Sequence, residues 1–544
     1  MNYGFIIDNR KCIGCHACTV ACKAEHNVPV GVNRTWVKYV EKGQFPNTRR
    51  LFSVMRCNHC ADAPCVEICP TTALHTRTDG IVDFDNRRCI ACKACMQACP
   101  YDALFIDPET QTAAKCNYCA NRVETGLQPS CVIVCPEHAI ISGDLDNPES
   151  EISELLAREQ VTTRKAEKGT HPKLFYIDGD EISLNPTLAE PATSYMWASQ
   201  SSGVGHFAHF AQTKMAGANP EAMAQQLAGE SIAEADAGSA PRDTSRNKLV
   251  EKARDVLSEN VKRVYDAPSE GALWDWKVAA YVWTKAISAG AFIVLLMALK
   301  LANSPLPPAF QWTALGIALS FLLVTTALLV ADLDQPKRFA YVLLRPNWSS
   351  WLVRGGYALA FYGALLTLSA IGLYLNNGLN ETALWATAAF ALLSAVYTAF
   401  LFSQAKGRDF WQSPGMIPHM LVHAVVAGAA CLLIAALFNQ NSVLVAFINK
   451  VLVGGLLVNA VVMFAELVTP HPTEDARRTV TMIVNRPFGP LFWVGGVIAG
   501  TALPVVLLLT GGDILMLIGS ILALCGLYCI EYVWVRAPQL ISLS

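Results

Sequence analysis

Residues 12–22 read CIGCHACTVAC and residues 89–99 read CIACKACMQAC, so one spacing of four cysteines is written twice. Three thiols two residues apart must leave a single tight turn, and a fourth follows one helical turn later. Two more groups stand between and after them, CNHCADAPCVEICP at 57–70 and CNYCANRVETGLQPSCVIVCP at 116–136, and these also resemble each other. The groups are Cys12, Cys15, Cys18, Cys22; Cys57, Cys60, Cys65, Cys69; Cys89, Cys92, Cys95, Cys99; and Cys116, Cys119, Cys131, Cys135. Three of them close on proline, in CPTTAL, CPYDAL and CPEHAI, where the ring stops a short helix and leads into a strand. The first, ending Cys22-Lys23, lacks it.

The CxxCxxCxxxC spacing is that of two-cluster ferredoxins, in which three close thiolates hold one iron-sulfur cube and the fourth holds its neighbour. Disulfide frameworks use pairs, and zinc ribbons use CxxC halves without a triplet, so neither suits this pattern. The expectation is four 4Fe-4S clusters in a duplicated, α+β ferredoxin-like domain over residues 1–190.

Sixteen of the nineteen cysteines precede residue 136, whereas apolar runs of membrane length begin only after residue 277. A charged fraction of 16% and a mean hydropathy of +0.32 therefore average two unlike halves. The net charge of -2 comes with no basic stripe, which sets nucleic-acid binding aside. No leader with a basic, then apolar, then small-residue pattern is read before the first cysteines. The pair Arg49-Arg50 follows them and reads as solvated surface. Residues 191–265 are expected to be an Ala/Ser/Gly-rich connector ending in an amphipathic helix, with Leu249, Ala253, Val256 and Leu257 on one face.

Residues 266–544 are expected to form an all-α membrane domain. Eight spans fit, near 278–301, 310–332, 350–374, 382–402, 417–438, 443–468, 488–510 and 514–535, each about the 20 residues a bilayer requires. Loops on the side of the cysteine domain carry Lys337, Arg338, Arg345, Lys406, Arg408, Arg477, Arg478 and Arg486, with Arg354 and Arg536 at neighbouring helix ends. The opposite loops carry no Lys or Arg, so the positive-inside rule places the cluster domain on the cytoplasmic side.

Ionisable groups in or beside spans mark candidate sites, because charge in lipid is costly. Lys285, Asp332, Asp334, His419, His423 and Glu466 all fall toward the cluster-domain side, where a quinone headgroup would meet both electrons and protons. Asp332 and Asp334 read equally as helix-end caps or as partners of Lys337 and Arg338, and Glu466 reads also as a snorkelling interface residue. His419 and His423 share one helical face and suit a proton relay, a quinone ligand or a bond to a neighbouring helix. Lys450 lies toward the other leaflet. Only His419, His423 and His471 are available for haem, two of them on one face and one in a loop, so no haem is expected. Cys431, Cys525 and Cys529 read as small apolar residues.

With CKAEHNVPVGVNR after the first group and GTHPKLFY near residue 170, residues 1–190 resemble the electron-transfer subunits of complex iron-sulfur molybdoenzymes. The resemblance implies that Cys12, Cys15, Cys18 and Cys135 hold one cluster, and Cys116, Cys119, Cys131 and Cys22 the next. It assigns Cys57, Cys60, Cys65 with Cys99, and Cys89, Cys92, Cys95 with Cys69, to the other two. The stretches LWDWKVAAYVWTKAISAGAF, ADLDQPKRFAYVLLRPNWSSWLVRGG and MIVNRPFGPLFWVGG resemble the NrfD, polysulfide-reductase-type membrane subunit. That implies two four-helix bundles and a menaquinone or ubiquinone site near the clusters, with Tyr281 and Lys285 as its first-span residues. It further implies a separate molybdopterin catalytic subunit, with sulfur-compound redox as its chemistry. The alternatives are a proton-coupling anchor resembling alternative complex III, or hydrogenase-linked electron transfer.

Overall fold

Residues in the left-handed conformation shape the turns that carry the cysteines. Gly14 and His16 in the first group and Ala91 and Lys93 in the third all have positive φ, so the sequence repeat is a conformational repeat. At Gly14 this is compounded by crowding, since a Cβ would fall 2.5 Å from the Phe52 ring. Short helices then carry the third cysteine of each group: Ala17–His26, Pro64–Ile68, Ala94–Ala98 and Ser130–Ile133. The prolines after Cys69 and Cys99 lead into two hairpins, Leu74–Thr76 with Val82–Phe84 and Leu104–Asp107 with Thr112–Lys115.

The computed structural model describes residues 1–44, 47–191, 261–267, 271–302, 306–376, 379–438 and 441–544. Two four-stranded sheets flank the cysteine core. In one the order is Ile140–Asp144, Tyr3–Asp8, Leu174–Ile177, Val161–Thr162. In the other it is Glu190–Pro191, Val261–Tyr265, Thr35–Gln44, Asn47–Arg56. The expected connector helix lies outside the described residues up to position 260. Its last residues depart from the expectation: 261–265 form a strand paired antiparallel with 39–42, because Val261, Val264 and Tyr265 suit a pleated edge that the hairpin leaves open.

Among the described residues, eight helices are long and apolar enough to cross a membrane: Trp276–Leu301, Pro308–Ala331, Trp351–Leu375, Glu381–Gln404, Met416–Phe438, Ser442–Val468, Leu491–Thr510 and Asp513–Leu540. They agree with the expected spans, and their packing divides them into two groups of four. The first four close on one another, and so do the last four. The groups meet chiefly where the first span crosses the fifth. At that crossing Gly290 faces Gly428, and a Cβ on Gly290 would overlap the Ala424 carbonyl. Small residues let two backbones approach where lipid supplies no hydrophobic drive. Gly428→Leu is therefore expected to destabilise the junction by about 1–3 kcal/mol, read as a lowered thermal midpoint in detergent.

The two halves of the protein are joined by hydrogen bonds at the cluster turns. Asn347 Nδ2 donates to the Cys69 carbonyl at 2.8 Å, Ser350 Oγ to Ile68 at 2.7 Å, Arg338 to Asn86 and Cys89, and Trp274 Nε1 to Cys92 at 3.1 Å. Buried Arg408 bonds Gln97 Oε1 and the carbonyls of Pro538 and Ile541. Gly407 admits no larger residue, since a Cβ would sit 2.6 Å from the Gln97 carbonyl and 2.7 Å from that of Cys99. Asp334 pairs with Lys93 of the cluster domain at 3.2 Å, not with Lys337 or Arg338. The reason is that Arg338 is already bound to the two carbonyls.

Candidate functional site

The structure brings the cysteines together in four sets. Cys12, Cys15, Cys18 and Cys135 line one small hollow, and Cys69, Cys89, Cys92 and Cys95 another. The Cys22 thiol lies within electrostatic reach of Cys116, Cys119 and Cys131, and the Cys65 thiol of Cys57, Cys60 and Cys99. All sixteen are free thiols. Twelve are buried, Cys12, Cys92 and Cys135 are half-buried, and Cys15 alone among them is exposed. Converging soft sulfurs shielded from water are the donor chemistry that iron-sulfur cubes require, so the residues present fit such clusters.

The sets form a line. Cys18 of the first reaches Cys131 of the second, Cys116 of the second reaches Cys57 of the third, and Cys65 of the third reaches Cys95 of the fourth. The fourth set abuts the membrane helices. There Cys92 forms part of the wall of an apolar cavity of about 380 Å³ between the first four spans, together with Trp274, Tyr281, Asp332, Phe339 and Tyr397. Behind this wall Lys285 Nζ donates to the Thr398 hydroxyl and, at 3.2 Å, to the Ala395 carbonyl, and it lies 4.5 Å from the centre of the Tyr397 ring.

His419, His423 and Glu466 lie elsewhere, in the second bundle. His419 Nδ1 is 2.9 Å from Glu466 Oε2, His423 Nδ1 is 2.7 Å from Glu531 Oε1, and the two rings lie tilted at 38° with centres 4.1 Å apart. Trp534 Nε1 also donates to Glu466 at 3.1 Å. Glu466 is thus a buried partner of His419 rather than a residue reaching for the interface. It also borders a second, more polar cavity of about 680 Å³, walled by Lys406, Asp409 and His471 on the cluster-domain side. Glu531 lies within electrostatic reach of Lys285, which links the acid and base groups back toward the first cavity. The six candidates therefore fall into two places, Tyr281 and Asp332 on the first cavity with Lys285 behind it, and the two histidines inside the second bundle with Glu466, which borders the second cavity. Glu531 is the residue that span-end reasoning passes over. Its signal is an acid inside the apolar run LYCIEYVW.

A line of thiol sets ending at a membrane-embedded cavity defines an iron-sulfur electron-transfer protein with a polytopic membrane domain. Residues 266–542, half of the sequence, match the family described as polysulphide reductase, NrfD, and the chain is a member of that family. Residues 11–74 and 48–145 match 4Fe-4S dicluster domains. The B component of tetrathionate reductase from Salmonella typhimurium is 44% identical over 196 residues, which is 35% of this chain and 78% of that protein. Protein NrfC of Escherichia coli is 42% identical over 180 residues, 32% of this chain and 81% of that protein. The B component of polysulfide reductase from Wolinella succinogenes is 41% identical over 180 residues, 32% of this chain and 93% of that protein. The dicluster matches and the NrfD match fall on separate stretches, so one polypeptide here joins an iron-sulfur part to an NrfD membrane part.

Proposed function

We propose that this chain passes electrons between a membrane quinone, menaquinone or ubiquinone, and a separate molybdopterin-containing catalytic subunit that acts on a sulfur compound. The observation that carries this reading is the first cavity, whose wall holds a cluster-ligand cysteine, Cys92, beside two protonatable groups, Tyr281 and Asp332. A quinone needs all three: an apolar slot for its ring and tail, an electron donor or acceptor, and groups that exchange protons with its oxygens. Four 4Fe-4S clusters, one in each cysteine set, supply one-electron carriers when bound. Tyr281 and Asp332 position and protonate the headgroup, while the leucine-lined remainder of the cavity excludes water. The relatives named as reductase components support the catalytic partner. The basic loops support anchoring in the lipid bilayer with the cluster domain on the cytoplasmic side.

The test is anaerobic addition of a soluble quinol to the purified full-length protein, followed by visible absorbance. Bleaching of the iron-sulfur bands is the expected result. Clusters that bleach with dithionite but not with any quinol, at any pH tried, would refute quinone exchange. The paired imidazoles and carboxylates of the second bundle favour a second role for this protein, movement of protons coupled to quinone turnover.

A further inference from the structure

Arg56 ends the strand Asn47–Arg56, directly before Cys57, and is fully buried. One terminal nitrogen donates to Cys131 Sγ at 3.2 Å, and the guanidinium carbon lies 4.5 Å from the centre of the Phe5 ring. Among the described residues its Nε and its other terminal nitrogen have no hydrogen-bond partner, and no carboxylate pairs with it. A guanidinium keeps its charge, so burial without a counter-charge is heavily penalised. What faces it is sulfur: Cys131 and Cys116 of the second set, and Cys18 of the first.

A second side chain reaches the same set from another direction. His26 Nε2 lies 3.1 Å from Cys119 Sγ. An imidazole N–H at this position can donate to a ligating thiolate, which has no proton of its own to give. The set beside the membrane cavity is treated differently. Cys89 accepts from the backbone N–H groups of Ala91 and Ala113 at 3.4 Å, Cys69 from that of Leu74 at 3.5 Å, and Cys92 lies within reach of the Asp332 carboxylate. The buried Lys115 donates to the carbonyls of Val82 and Cys116 and also reaches the Cys57 thiol, so the third set has a cation beside it as well.

Taking up one electron adds one negative charge to a cluster. A fixed cation and side-chain donors favour that reduced form, and a facing carboxylate opposes it. We infer that Arg56, assisted by His26, holds the set of Cys22, Cys116, Cys119 and Cys131 at a higher potential than the membrane-proximal set, so that at equilibrium an electron favours it over the set beside the membrane cavity. Arg56 is a positioning residue: it touches the ligand sulfur and acts through the charge it fixes there. The inference rests on the iron-sulfur part of the proposed function and is independent of the quinone site.

The test is an anaerobic redox titration of the full-length protein followed by electron paramagnetic resonance. The component belonging to this set is assigned by its loss in Cys119→Ser, and the membrane-proximal one by its loss in Cys92→Ser. The assigned component should titrate above the membrane-proximal one in the unaltered protein. In Arg56→Met it should fall to about tenfold lower electron occupancy at fixed potential, a shift of about 59 mV for one electron. Arg56→Lys should restore most of this, and the membrane-proximal component should stay in place. An Arg56→Met protein with full iron content and unshifted components overturns the inference, as does a shift equal in all components. If Arg56→Met loses iron, His26→Phe carries the test, and an unmoved component there overturns it. Unaltered protein with far less than about sixteen irons would instead refute the cluster reading itself.

Discussion

Gly356→Phe is expected to slow quinol-driven reduction of the clusters about a hundredfold while dithionite still reduces them fully. Gly356 stands on the wall of the 380 Å³ cavity, and its nearest neighbour to an added Cβ is the Val342 side chain at 3.7 Å, so a larger residue fits without displacing backbone. The benzyl group then occupies the space a quinone ring requires. A displacement of even about 1 Å at a reacting centre costs on the order of a hundredfold in rate. Stopped-flow absorbance with quinol and with dithionite separates the two effects. Equal quinol rates in Gly356→Phe and the unaltered protein would place quinone exchange elsewhere.

Glu531→Gln is expected to lower steady-state quinol turnover about a hundredfold, the scale that positioned acid-base groups contribute. The amide can keep a hydrogen bond to His423, so packing survives, but it can neither hold a proton for the next group nor balance a charged imidazole. Glu531 and His423 are both about 1% exposed, so water does not readily replace the lost function. The solvent isotope effect on turnover should rise and the reduction of clusters by dithionite should remain unchanged. Turnover and isotope effect both unchanged would exclude the second bundle from proton supply.

How much of this is legible in the sequence depends on the range of the physics. The turns CIGCHAC and CIACKAC are local, and their spacing alone defines three sulfurs aimed one way. Pairing Cys22 with the group at 116–131 is a contact across about a hundred residues, which spacing does not encode; it comes from family resemblance. Spans are legible because bilayer thickness sets their length. The split of the candidate residues into two places is not, since depth along a helix says nothing about which bundle a side chain faces. The segment 261–265 departs from its helical reading because a short run of Val and Tyr takes its form from the hairpin edge it meets.

The order in which the cysteine sets close has a consequence for maturation. Cys57 through Cys99 supply both sets nearest the membrane, so that half of the wire can be loaded once residue 99 has emerged from the ribosome. The outer half must wait, because Cys12 and Cys18 meet their last ligand only at Cys135. Where metal binding and folding are coupled, the nascent polypeptide therefore holds its first thiols open longest, and these are the ones a scaffold or chaperone has to shield from oxygen.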